Sequence, residues 1–518
     1  MKRFILLIIS ILIVFVFFSF LAKKDFKDEG EVFIYFDADM KDCSLIMNDV
    51  NTKIKQYGYK VQGRFFNPKD IDHFIISNPE GLYITDDDIY SRLFFLKKSE
   101  YFSVKVAITN AYSEKNSISM HEFISTMNRV GSNEADISRK VMKNRIELGI
   151  ISFQDLNLKV KPLSVNGVFP SLENIQNGNY EFVYRAYIYH KDDLVLKENP
   201  VLQDILGKWQ QKSFSIIAGG DIMLSRGVKW YIDQYGVNYP FHEIRDEIEK
   251  HEVAFANLES PISDRGKKYS PYKGIYFRAD PEVVDGLKFS GFDVFSLANN
   301  HVLDWGIDSL VDTMNYLKDV GLQYSGVGFT REEALEPADF TVKGIRIAFI
   351  CYNDVYPLFL TEEGRSMRTI SLKGEDVEGE IKLLKEKYDI IIASVHTGTE
   401  YILQPENEKI RKMRRLIDAG VDVVIGSHPH VVQGIEVYKD CLIAYSLGNL
   451  IFDQSWSKET SLGLLLEIAF LGSRLVYYRP QVIWIEKSRA RIIENDEAKY
   501  ILSYLNFEKG MREHVTKN

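Results

Sequence analysis

The chain has 518 residues, long enough for two or three domains, and 45% of them are apolar, which suffices for sizeable cores. The formal net charge is −9 and the basic clusters, such as Arg411 to Arg415, are short, which argues against nucleic acid as a partner. Cys43, Cys351 and Cys441 have no metal-like spacing, and two of them lie in apolar runs where packing is their simplest role.

At the N-terminus, Lys2 and Arg3 precede an uninterrupted apolar run from Phe4 to Ala22, long enough to cross a hydrocarbon core. A cleaved signal peptide is the competing reading. Bulky Phe20 stands where cleavage wants a small residue, and no cysteine is present there for a lipid anchor. The expectation is a transmembrane helix over residues 1–24, a single pass in the cell membrane with the basic end inside and the bulk of the chain extracytoplasmic.

After a charged linker, residues 31–200 read as a mixed α/β module. VFIYF and SVKVAIT have strand character, and MHEFISTMNRV has helical spacing. A charged stretch near Lys191 to Lys212 leads into a second domain over 213–490. Its last part, LGLLLEIAF and RLVYYRPQVIWIE, predicts antiparallel strands. Residues 491–518 read as a charged, helix-like tail with Tyr500 to Phe507 as its apolar part.

The chemistry lies in the 213–490 domain. Short polar motifs follow apolar runs: GGDIM after FSIIA, NLES after VAFA, ANNHVLDWG after FDVFSL, HTGTEY after IIIASV and GSHPH after VDVVI. Such runs alternating with amphipathic helices predict an α/β sheet with much parallel pairing, whose ligands bind at the carboxyl ends of the strands. Taken singly, Asp221 reads equally well as a helix cap, and Asn300 and Asp304 as turn residues. Jointly the motifs bring Asp, Glu, Asn and four of the ten histidines to strand ends, which is the donor set of a metal or acid–base site. Gly219, Gly220, Gly426 and Gly448 read as tight-turn positions.

GGDIML, NLESPI, NNHVLDWG, GSHPHVVQG and YSLGNLIFDQ together resemble the CapA family of poly-γ-glutamate capsule synthesis, itself similar to the calcineurin-like metallophosphoesterases. The resemblance covers Ser213 to Glu486 and implies a metallophosphoesterase-like α/β sandwich. It implies one or two divalent ions, Mn, Zn, Fe or Mg. Asp221 and His430 would serve a first ion, Asn300, His396 and His428 a second, with Glu259 bridging. His301 takes the position of a proton donor, oriented by Asp304. Met223 stands where the superfamily carries a histidine, and a thioether is a poor ligand for hard ions. Arg278, Glu400 and Asn449 are candidate substrate contacts. Each has a plain alternative: a surface ion pair for Arg278, a structural hydrogen bond for Glu400, loop fixing for Asn449.

Upstream, GVFPSLENIQNGNYEFVYRAYIY resembles the closing segment of PstS-like phosphate-binding proteins of the type 2 periplasmic fold. Arg129 to Asn133 resembles a degraded form of that family's phosphate loop, so a shortened binding-protein-like module that has lost its ligand is expected. The combined expectation is a protein for synthesis, attachment or export of an anionic envelope polymer such as poly-γ-glutamate. It would act by metal-dependent hydrolysis or transfer at a phosphoester or amide bond. Its expected partners are the membrane, the polymer or its precursor, and capsule polymer synthase subunits. The alternative is a non-catalytic scaffold of a polymer synthase or export complex.

Overall fold

The computed structural model describes residues 113–129 (except 114), 134–143, 147–190 and 212–505 (except 270–272, 363, 374 and 375). It also describes the strand segments 31–37, 60–66, 82–85 and 97–110, and positions 47 and 50. Phe4 to Ala22, Cys43 and residues 130–133 of the expected anion loop lie outside the described residues. Among the described residues, no helix is long and apolar enough to cross a membrane.

The described chain falls into two compact units. In the first, Glu31–Asp37 pairs in parallel with Lys60–Phe66 and with Leu82–Thr85. Val183–His190 runs antiparallel to Leu82–Thr85 and to residues 97–104 of the Lys97–Asn110 strand. VFIYF and SVKVAIT are therefore both strands, as their patterns predict.

The second unit is built around two large sheets. One has the strand order Gln323–Ser325, Val294–Ser296, Val253–Leu258, Ser213–Ile222, Leu462–Leu471, Arg474–Glu486, Arg489–Ile492, with Asn449–Ile451 also paired to Ser213–Ile222. The other runs Ala338–Val342, Ile345–Asn353, Ile390–His396, Val423–Ser427, Cys441–Ala444, Ile435–Tyr438. LGLLLEIAF and RLVYYRPQVIWIE pair antiparallel, as expected.

The near-continuous apolar runs follow from burial on both faces of each strand. Phe214, Ile216, Val253, Phe255, Ile347, Phe349, Ile390, Ile392, Val423 and Ile425 share one core between the sheets. The alternate residues turn outward. Ile217, Ala254 and Ala256 pack in a core with the helices Arg226–Tyr235, Val283–Phe289 and Gly306–Asp319. Ile391, Ala393 and Val424 do the same with Val377–Lys387 and Asn407–Ala419. The result is a helix, sheet, sheet, helix layering.

This unit is larger than the 213–490 domain read from the sequence. The described residues of 105–129 and 134–181 group with the sandwich rather than with the first unit. Tyr477 explains why: its buried hydroxyl accepts from Leu172 N at 3.2 Å and donates to Glu467 Oε1 at 2.6 Å, while its ring meets Phe153 and Phe169 edge-on. Arg474 adds hydrogen bonds to the carbonyls of Leu156 and Gln154. At the other end, the helix Asp496–Tyr504 is capped by Asn495 and buries Ala498, Ile501 and Leu505 in the inter-sheet core. The start of the expected charged tail is thus part of the sandwich.

Candidate metal centre

The five motifs meet at one edge because their strands run parallel within each sheet. Asp221 lies at the end of Ser213–Ile222 and Asn257 at the end of Val253–Leu258, with Glu259 just beyond. Asn299, Asn300 and His301 follow Val294–Ser296. His396 ends Ile390–His396, and His428 and His430 follow Val423–Ser427. Gly448 does turn with positive φ, +69°, but Gly219, Gly220 and Gly426 sit inside strands. Their role is close approach. A Cβ on Gly220 would fall 2.0 Å from Gly448 O, and one on Gly426 1.9 Å from Tyr445 O.

Glu259 is the centre of the cluster. Its Oε1 lies 3.7 Å from His396 Nε2, 3.8 Å from His430 Nε2 and 3.9 Å from His301 Nε2. Asp221 Oδ1 accepts from Asn257 Nδ2 at 2.8 Å, and Oδ2 accepts from His428 N at 3.3 Å. Asn300 Oδ1 and His396 Nε2 are 2.9 Å apart. Asn299, which the sequence motif contained without a role, fixes the loop. Its amide donates to Leu258 O at 2.8 Å, and its Oδ1 accepts from His301 N at 3.1 Å. His428 and His430 adopt φ of +94° and +58°, a strained turn around Pro429 of the kind found at functional sites.

Two triads have ligand atoms within 4.8 Å of one another: Asp221, Glu259 and His396, and Glu259, His428 and His430. Glu259 belongs to both, as its expected bridging position requires. Asp221 Oδ2 also lies 3.5 Å from His430 Nδ1, and the His396 and His428 rings stand 4.8 Å apart, so the pairs expected for the two ions are near each other too. Asn257 links Asp221 Oδ1 (2.8 Å) with His396 Nδ1 (3.4 Å).

These groups are electrostatically uncomfortable without a cation. Burial pushes Asp221 up to about 7, and burial together with Asp221 raises Glu259 well above the carboxylate range. Burial and neighbouring imidazoles lower His396 and His428, and burial lowers His430 to about 3. Both carboxylate oxygens of Glu259, and His428 Nδ1, are buried without a hydrogen-bond partner. Buried acceptors lacking donors are costly, and a divalent ion satisfies them while favouring the ionised carboxylates and neutral imidazoles. The residues therefore fit one or two such ions.

His301 is held as a pair with Asp304, Nδ1 to Oδ2 at 2.7 Å, and stacks on Phe277 at 3.9 Å. Lys273 pairs with Asp304 and also donates to Asn300 O at 2.7 Å. With Nδ1–H donating to Asp304 Oδ2, the Nε2 lone pair faces Glu259. Burial lowers the His301 pKa, against the pull of Asp304.

The three expected substrate contacts fare differently. Arg278 stacks on Trp305 at 3.7 Å and donates to Arg265 O. Glu400 is exposed, and its charge reaches Glu259 and Tyr401. Asn449 uses Oδ1 on His430 Nδ1 (3.0 Å) and Nδ2 on Gln454 and Thr460, so it orients a histidine and has no amide group to spare. Met223 is buried, and its thioether accepts from Ser225 N and Oγ at 3.1 and 3.0 Å.

Sequence reasoning missed Lys273, Phe277 and Lys409. The buried Lys409 has no hydrogen-bond partner, and burial lowers its pKa to about 7. Its Nζ lies 3.2 Å from where a Cβ on Gly398 would be. The signal was present. Lys409, Ile410, Met413, Leu416 and Ile417 form the buried stripe of their helix, and Lys409 occupies a core position of that stripe.

Residues 215–454 match the family "Bacterial capsule synthesis protein PGA_cap". "Capsule biosynthesis protein CapA" of Bacillus anthracis is 31% identical over 245 residues, 46% of this chain and 60% of that protein. "PGA biosynthesis protein CapA" of Bacillus subtilis (strain 168) is 30% identical over 240 residues, 46% of this chain and 63% of that protein. The chain thus spans less than two thirds of the length of these relatives. Among solved structures, an ABC-type phosphate transport receptor from Vibrio cholerae is 13% identical, covering 40% of this chain and 98% of that one. Its TM-score is 0.19, too low to bear on fold or function. On its motifs, the matched segment, residues 215–454, is similar to the PGA_cap family and to the CapA proteins of these two organisms.

Proposed function

We propose that the sandwich domain is a metallophosphoesterase-like enzyme that hydrolyses or transfers a phosphoester or amide bond during synthesis, attachment or export of an anionic envelope polymer such as poly-γ-glutamate. In this reading the chain is anchored by Phe4 to Ala22 in the cell membrane, with its bulk extracytoplasmic. Polymer synthase subunits are its natural partners, in keeping with the names of the relatives. The carrying observation is Glu259, whose two buried, unpartnered oxygens stand among three imidazoles.

Asp221, Glu259, Asn300, His396, His428 and His430 would hold the metal, which supplies Lewis acidity and lowers the pKa of water. The other residues have distinct work. Asp304 and Lys273 keep His301 in one tautomer and orientation. His301, protonated at Nε2 for the step, would donate that proton to the leaving group, while the proton of the attacking water passes to solvent. Asn449 and Ser427 orient His430 and His396 through their Nδ1 atoms.

One observation favours a scaffold instead: Met223 is tied to Ser225 and brings no ligand of its own. The test is hydrolysis of γ-linked glutamate polymer and of model phosphoesters by the metal-loaded chain. His301→Ala should keep its metal and lose about 10²- to 10⁴-fold in rate. His428→Ala should lose both. No metal-dependent turnover of either substrate class, with polymer production in cells unchanged in both variants, would leave the scaffold reading.

A further inference from the structure

We infer that Arg226 is a substrate-binding residue. It takes a carboxylate of the polymer beside the bond to be cleaved, at the open side of the metal centre. The inference rests on the hydrolytic reading above and names the substrate group that the centre selects.

Every metal-ligand candidate is at most 7% exposed, whereas the side chain of Arg226 is 34% exposed. It is nonetheless part of the site. Its guanidinium lies 5.0 Å from the centroid of the Phe277 ring, the same ring on which His301 stacks. Phe277 also meets Phe452 edge-on, and Phe452 lies against His430. The charge of Arg226 bears on His301, His430 and Tyr401 together.

The position is built. Arg226 has φ +53° at the first residue of its helix, a conformation that costs a non-glycine residue energy. Asp453 accepts from its Nε at 3.0 Å and from Nη2, and also from Gly227 N at 3.0 Å. A Cβ on Gly227 would lie 2.9 Å from Asp453 Cβ, so a glycine is needed for this approach. Asp453 thus holds one side of the guanidinium fork. Nη1 has no acceptor among the described residues. A fork with a free side suits a planar oxyanion. Tyr401, whose ring lies 6.0 Å from that of His430, and Trp456 in edge contact with it are 42% and 62% exposed, an apolar surface at the site for the methylene stem that carries such a carboxylate.

The experiment titrates the full chain, loaded with Mn²⁺, with a short γ-linked glutamate oligomer and with its methyl-esterified, uncharged counterpart. Arg226→Gln should weaken the charged oligomer about 10- to 100-fold, the range of a charge-assisted hydrogen bond, and leave the ester's affinity unchanged. Arg226→Lys, which keeps the charge and loses the fork, should fall between. If Arg226→Gln does not fold, the Arg226→Lys comparison alone carries the test. Equal loss for both ligands, or less than a twofold loss for the charged one, overturns the assignment. Wild-type protein that binds Mn²⁺ but not the oligomer also overturns it while leaving the metal centre standing. Failure to bind Mn²⁺ removes both readings.

Discussion

Asp304 Oδ2 sits 2.7 Å from His301 Nδ1 and also accepts from Phe277 N at 2.8 Å, so one carboxylate fixes both the imidazole and the ring on which it stacks. Lys273 closes the other oxygen. Asp304 therefore controls which nitrogen of His301 carries the proton, while standing outside the ligand cluster.

Asp304→Asn should leave metal content unchanged and reduce turnover about 10- to 100-fold, the usual cost of removing an orienting partner. The amide can donate to Nδ1 and so favour the wrong tautomer. Metal analysis alongside the rate separates this effect from loss of an ion.

Lys409 gives a pH signature. Its folded pKa, about 7, lies below the usual lysine value, so the native state binds fewer protons than the unfolded state between pH 7 and the normal lysine range. The stability cost of burying Lys409 is therefore full below about pH 7 and fades as pH rises through that window. Lys409→Met should melt above the wild type at pH 6, and the gap should close towards pH 10. A gap that is constant with pH would mean that the ammonium is not desolvated in the native state.

Much of the sandwich was legible because strands buried on both faces write continuous apolar runs, and strand-end chemistry follows them directly, as at Asp221 and His396. What the sequence hid has physical causes. Lys273 and Phe277 lie in a segment without regular period, and their roles depend on His301 and Asp304, which only the fold brings near. The grouping of residues 147–181 with the sandwich was not legible, because the contacts that attach them pair single side chains with partners some 300 residues away, such as Tyr477 with Leu172. Arg278 and Phe277 are sequence neighbours with different partners, Trp305 and His301, so a motif that names one side chain says nothing of the other's contacts.

The attachment of residues 147–181 is testable at Tyr477. Tyr477→Phe keeps the ring contacts and leaves Leu172 N and one oxygen of Glu467 without the hydroxyl, both buried. A loss of about 1–3 kcal/mol in denaturant unfolding is expected, with earlier proteolysis between 147 and 181. An unchanged midpoint would mean that water replaces the hydroxyl and that the segment is held by apolar contacts alone.

Met223→His replaces a thioether occupied by Ser225 with an imidazole beside Asp221. It should raise the divalent-metal stoichiometry of the purified chain, because borderline ions prefer nitrogen to thioether. Unchanged stoichiometry would show that Asp221 already has a full ligand set.

Metal content in the wild type and in Glu259→Gln tests the central claim most directly. Full-length protein equilibrated with Mn²⁺ or Zn²⁺ and then desalted should retain at least about one equivalent per chain, with a melting temperature that rises with metal. Glu259→Gln should retain none and show no metal-dependent rise. Its metal-free form should melt above metal-free wild type, since it lacks a buried carboxyl with two unpartnered oxygens. Wild-type protein that retains no divalent ion, or a Glu259→Gln variant that binds and responds like wild type, would contradict the account.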